Sequence, residues 1–215
     1  MVVLDNHALL HRSRPRPTAA LLIALTALTV GLGGLLLYRA DDTPLGMATQ
    51  AVWRFNCLVF FAALVAGPIG RLVPGLSLLA DKSRPLLQGF CAAMGVYFAF
   101  ILVPNLLAVP DGVQPRGITA GTTFFVLFTG SVTLVMAAAA NRALCKTFGN
   151  RACRTMLGVA TIYFWLCYSL IALAHISGPH RQDLFYELSL MLMLTGLFAR
   201  FADRFFEKGE AARAA

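Results

Sequence analysis

Apolar residues in this chain fall into six long runs separated by short clusters of polar and charged positions. The runs extend over Thr18–Tyr38, Val52–Leu72, Leu86–Val109, Ile118–Ala140, Met156–Ser177 and Leu184–Phe201. A helix needs about 20 residues to cross roughly 30 Å of hydrocarbon at ~1.5 Å per residue, and each run is close to that length. Turn formers fill the connections: Asp41-Asp42-Thr43-Pro44, Val73-Pro74-Gly75, Pro110-Asp111-Gly112, Gly149-Asn150 and Ser177-Gly178-Pro179. The pattern predicts an all-α fold, a polytopic membrane bundle of six transmembrane helices. A basic arm (1–17) precedes the membrane domain (18–202), and a short tail (203–215) follows it. The first run comes after Arg12, Arg14 and Arg16, as in a secretory signal. It exceeds a signal's apolar core of about 7–15 residues, and Tyr38-Arg39-Ala40 is a poor cleavage site, so it reads as a retained helix.

Charge orients the bundle. One side holds Arg12, Arg14, Arg16, Arg71, Lys82, Arg84, Arg142, Lys146, Arg151, Arg154, Arg200, Arg204, Lys208 and Arg213. Of the 18 basic residues, that leaves Arg39, Arg54, Arg116 and Arg181 for the other side. Basic loops remain on the cytoplasmic face, so both termini are expected there. Composition agrees: 58% of residues are hydrophobic and 13% charged, against roughly 25% charged in a soluble domain. The net charge of +8 therefore belongs to membrane-flanking loops and not to a nucleic-acid surface. No internal repeat or separate soluble domain is legible, so any chemistry sits among the helices or depends on a partner.

The chain carries no glycine-rich phosphate loop, nucleophile elbow or paired metal motif. Cys57, Cys91 and Cys167 lie inside apolar runs, where a thiol behaves as a small hydrophobe. Cys145 and Cys153 flank a basic loop at a spacing that does not suit zinc, and no disulfide framework is expected. His7 and His11 belong to the basic arm; His175 and His180 lie near the far end of the fifth run and are read as interfacial. Glu187 is close enough to that surface to be solvated. Arg54, just inside the second run, is either a functional intramembrane charge or a snorkelling arginine beside Trp53. Asn105 is placed to bond carbonyls freed by Pro104. Tyr163, Phe164, Trp165 and Tyr168, with Met191 and Met193, read as packing or lipid-facing residues.

Several segments, taken in order, resemble the ferric-reductase-like transmembrane domain family, which includes the membrane domains of NADPH oxidases. Trp53-Arg54-Phe55, followed by Gly67-Pro68-Ile69-Gly70-Arg71-Leu72, is similar to the family's second helix and its closing turn. Ser83-Arg84-Pro85-Leu86-Leu87-Gln88-Gly89-Phe90 is similar to the entry into the third. Asn141-Arg142, Gly149-Asn150-Arg151-Ala152-Cys153-Arg154-Thr155-Met156-Leu157 and Ile162-Tyr163-Phe164-Trp165 resemble the loop and start of the fifth. Leu197-Phe198-Ala199-Arg200 closes a likeness that covers about residues 51–204.

The resemblance implies b-type haem held by histidines between the third and fifth helices. Here the third run has no histidine, and Ala99-Phe100 stands where one is expected. Met156 and Ser169 stand at the expected positions of the fifth. Met156 and His175 are the candidate haem ligands, since thioether and imidazole both bind haem iron. Arg54, Arg84 and Arg142 are candidates for a propionate, a quinone head or an interface. The leading reading is a haem-depleted, non-catalytic scaffold or partner subunit in a bacterial inner membrane. The alternatives are a divergent b-haem or quinone-linked electron-transfer protein fed by a separate cytoplasmic reductase, and a small-solute transporter. A reporter fused to the C-terminus should register cytoplasm; a signal from the opposite side would break the six-helix topology.

Overall fold

The computed structural model describes residues 18–36, 44–107, 120–178 and 183–214, and among them all regular structure is helical. The elements are α1 (Thr18–Leu36), α2 (Pro44–Leu72), a 3-10 turn (Pro74–Leu76), α3 (Ser77–Ala80), α4 (Ser83–Leu107), α5 (Ala120–Ala140), α6 (Arg142–Phe148), α7 (Asn150–Ser177) and α8 (Leu184–Ala214). Six of them, α1, α2, α4, α5, α7 and α8, are long and apolar enough to cross a membrane. The protein is thus a multi-pass helical bundle of membrane type. His7, His11, His180, Arg39, Arg116 and Arg181 lie outside the described residues, as does the side chain of Asn105.

The helices overrun the apolar runs at predictable places. Pro44 opens α2 eight positions before Val52, because proline's fixed φ and missing N–H suit a first helical turn. The basic loop expected before Met156 is itself helical. Asn141 caps α6 by accepting the Ala143 N–H at 2.9 Å, and Gly149, at φ +87°, reverses the chain into α7. The tail beyond Phe201 continues α8 to Ala214, in a stretch rich in the helix formers Ala, Glu, Lys and Arg.

Five helices close into a ring in the order α2, α4, α5, α7, α8 and back to α2, while α1 packs outside against α2 and α4. Helices in hydrocarbon gain little from the hydrophobic effect, so close packing and polar ties hold them together. Each seam of the ring has such a tie. Asn56 of α2 donates to the Ala93 carbonyl of α4 at 3.3 Å. Gln88 of α4 donates to the last carbonyl of α5, Ala140, at 3.2 Å. Thr129 of α5 and the Tyr163 hydroxyl of α7 lie 2.7 Å apart. Trp165 of α7 donates its indole N–H to Met193 of α8 at 2.9 Å.

The α8–α2 seam is the most heavily tied. Pro68 lies inside α2 and cannot donate to the carbonyl of Leu64, one turn back. Arg200 of α8 fills the vacancy, its Nε donating to Leu64 O at 3.3 Å. Gly196 allows the approach: a Cβ there would press into the Leu64 side chain, whose Cγ would be 3.2 Å away. Ion pairs close both ends of the seam, Arg54–Asp183 at one and Arg71–Asp203 at the other. The rise from Arg54 to Arg71 is about 26 Å along α2, and from Asp183 to Asp203 about 30 Å along α8. These spans match the hydrocarbon thickness of roughly 30 Å. Arg54 is therefore a tether to the start of α8, where Asp183 also accepts the Phe185 N–H at 3.1 Å.

Both members of the Arg54–Asp183 pair are about one-third exposed, at 34% each, between the buried and fully solvated regimes. Arg54→Ala and Asp183→Ala should each cost about 1–3 kcal/mol. The double variant should lose little more than either single one when thermal unfolding is followed in detergent. Additive losses would show that the two side chains act separately.

Candidate functional site

The ring's interior is aromatic. Phe60 of α2, Phe90 of α4 and Phe164 and Tyr168 of α7 are almost wholly buried. Their rings touch in sequence: Phe60–Phe90 at 5.1 Å between centroids, Phe90–Phe164 at 4.9 Å edge-on, and Phe60–Tyr168 at 5.5 Å stacked. Trp53 extends the array to Tyr168 at 4.6 Å and to Tyr97 at 5.4 Å. Such pairs contribute about 0.5–1.5 kcal/mol each beyond the area they bury. Met94, Met136 and Met193 complete the centre, each fully buried. The Met94 sulfur already accepts from the Asn56 amide at 3.3 Å and faces the Tyr168 hydroxyl at 3.9 Å. The aromatic stripe of α7 is thus a packing device, as its sequence suggests. Met193 takes the core position and Met191, 68% exposed, the lipid-facing one.

This array occupies the space between α4 and α7 where the family resemblance implies haem. The residues present do not fit that group, because interdigitated rings at 5 to 6 Å leave no slot for a flat macrocycle. On α4, Phe100 turns away and packs towards α1. Met156 is 40% exposed on the outer surface of α7. His175 is exposed as well; its Nδ1–H donates to the Ile171 carbonyl at 2.9 Å, and its ring stacks on Tyr186 at 3.9 Å. The two candidate ligands are separated by about 28 Å along one helix and share no site. Ser169 keeps a buried hydroxyl with no partner, and so does the Asn56 carbonyl oxygen. Among the described residues no cluster of His, Cys, Asp and Glu could hold a metal ion.

The three candidate arginines are also dispersed. Arg54 is tied to Asp183, with its guanidinium 5.2 Å from the Phe185 ring centre. Arg142 is exposed at the start of α6. Arg84, by contrast, lines a cavity of about 250 Å³ at the basic end of the bundle, together with Cys145, Asn150, Cys153, Arg154 and Leu157. Arg154 is the member that sequence reasoning passed over.

One wall of the cavity is a disulfide between Cys145 and Cys153. It overturns the expectation that these cysteines are unpaired. The reversal at Gly149 lays α6 against the first turn of α7, bringing the two Cα atoms to 5.7 Å, within the range a disulfide spans. The Gly149-Asn150 turn, midway between the two cysteines, is the signal in the sequence that points to their meeting. Cys57 and Cys91 remain free and buried, and Cys167 is free and half-buried.

No family model, curated protein or solved structure matches the chain.

Protein denatured without reductant should expose three reactive thiols, Cys57, Cys91 and Cys167, and all five cysteines after reduction. Intact mass after maleimide labelling reads this directly, and five thiols before reduction would refute the cystine. A cross-link closing so short a loop should stabilise the native protein by about 2–3 kcal/mol, read as a lower melting temperature of Cys153→Ser.

Proposed function

We propose that the chain is a haem-free relative of the ferric-reductase-like transmembrane domain that serves as a non-catalytic membrane subunit. In this reading it resides in a bacterial inner membrane with the basic end towards the cytoplasm, a compartment that keeps most thiols reduced, so the Cys145–Cys153 link there is a redox-sensitive one that forms on oxidation. The observation that carries the reading is the aromatic core. The helices that would face each other across a haem instead meet through Phe90, Phe164, Tyr168 and Phe60, with no imidazole among them. A bundle so filled is rigid, and well suited to presenting its surfaces to a partner subunit. The ordered segment similarities over residues 51–204 support the family assignment, and the fourteen-to-four partition of basic residues supports the orientation.

The test is an absorption spectrum of protein purified after expression with ample haem, recorded oxidised and then dithionite-reduced. The expected result is no Soret band at stoichiometric intensity. A Soret band with sharp reduced α and β bands at near-equimolar haem would overturn the reading in favour of electron transfer. Loss of those bands in Met156→Ala or His175→Ala would then identify the ligand.

A further inference from the structure

The cavity at the basic end has features that packing alone does not explain. Arg84, half-buried in the first turn of α4, lines it, as do Asn150 and Arg154, both exposed, from the start of α7. Neither arginine has a carboxylate partner among the described residues, where the ion pairs are Arg54–Asp183 and Arg71–Asp203. Of the acids at this end whose side chains are described, Asp203 is engaged by Arg71 and Asp81 is exposed on the turn before α4; neither lines the cavity. Both helices begin without an acidic residue in the first turn, and Gly149 offers α7 no side-chain cap. Helix N-termini carry a partial positive charge. Two guanidinium groups and the first residues of two helices thus line one polar cavity, which also meets Ala139 in the last turn of α5, and no carboxylate pairs with either arginine among the described residues.

We propose that this cavity binds a phosphate-class oxyanion, gripped by Arg84 and Arg154 with the Asn150 amide as a further donor. At about 250 Å³ it is several times the roughly 30 Å³ of a water molecule, enough for a phosphate group and some of its hydration. A carboxylate is planar and is satisfied by one guanidinium fork, whereas a tetrahedral oxyanion presents oxygens to forks arriving from two helices. The Cys145–Cys153 cystine, when formed, ties α6 to the start of α7, the helix that supplies Asn150 and Arg154, and so steadies that wall of the cavity. A free phosphate and the phosphodiester of a lipid headgroup have this chemistry in common. The inference does not depend on the haem-free reading above.

The test uses the full chain. Inorganic phosphate is titrated onto detergent-solubilised protein by calorimetry. Separately, protein in nanodiscs of phosphatidylcholine, with or without phosphatidylglycerol, is examined by native mass spectrometry for retained lipid. The wild type should bind phosphate, retain phosphatidylglycerol selectively, or do both. Arg84→Gln/Arg154→Gln should weaken that binding about tenfold or more. Lys146→Gln/Arg151→Gln removes the same charge from exposed positions off the cavity and should leave binding within about twofold. Arg84→Lys/Arg154→Lys keeps the charge and should bind with intermediate affinity, which guards against a fold defect in the glutamine pair. Phosphate binding alone marks a soluble ligand, and lipid retention alone marks a headgroup site. Wild-type protein that binds neither overturns the proposal, as does an equal loss in the two glutamine pairs.

Discussion

A helix surrounded by lipid gains almost nothing by burying a leucine against another helix, because the acyl chains it leaves are equally apolar. The architecture follows from that constraint. Every seam of the five-helix ring combines tight packing with a directed polar contact, and these contacts fix register as well as proximity. Asn56, Gln88, Trp165 and Arg200 all donate to backbone carbonyls of the neighbouring helix. Such a donor specifies one rotational setting and one height, which interdigitating methyl groups do less strictly. Helix α1 lies outside the ring: its Thr26 and Thr29 hydroxyls turn back to carbonyls of their own helix.

Helix α2 is where these constraints meet. It packs against α1, α4 and α8 and supplies Asn56 to one seam and both ion-pairing arginines to another. Its internal Pro68 would weaken a helix in isolation, since the Leu64 carbonyl loses its donor. The bundle turns this defect into a contact by offering that carbonyl to Arg200. Gly196 and Pro68 thus work together, one allowing α8 to approach and the other giving it something to bond.

The six spans were legible because hydrocarbon thickness imposes a length that apolar runs record directly. Their ends were less so, since Pro44, Asn141 and the Ala/Glu-rich tail start or extend helices through capping and helix propensity, which an apolar run does not record. The aromatic residues of α7 were legible as packing residues. Their partners Phe60 and Phe90 were not, because periodicity within one helix does not say which neighbour it meets. Arg54 stood out as an intramembrane charge, yet its meaning depended on Asp183, far along the chain. Asn56, a fully buried polar residue, is legible only as an interruption between Phe55 and Cys57, because its acceptor on α4 is not local in sequence. The cystine and Arg154 became apparent only once Gly149 had folded α6 back onto α7.

The pair of clamps on the α2–α8 seam bears on where this protein can reside. Arg54–Asp183 and Arg71–Asp203 lie at opposite rims of the apolar band, so their spacing sets a hydrophobic length that the bundle cannot readily change. A thicker bilayer would draw one ion pair below the headgroups, and a thinner one would leave apolar side chains in water. Each ångström of mismatch costs a fraction of a kcal/mol. The two helices can still tilt together, but neither can tilt or slide past the other without breaking a clamp. The distance between the clamps thus corresponds to one hydrocarbon thickness, close to the roughly 30 Å of a typical bilayer core.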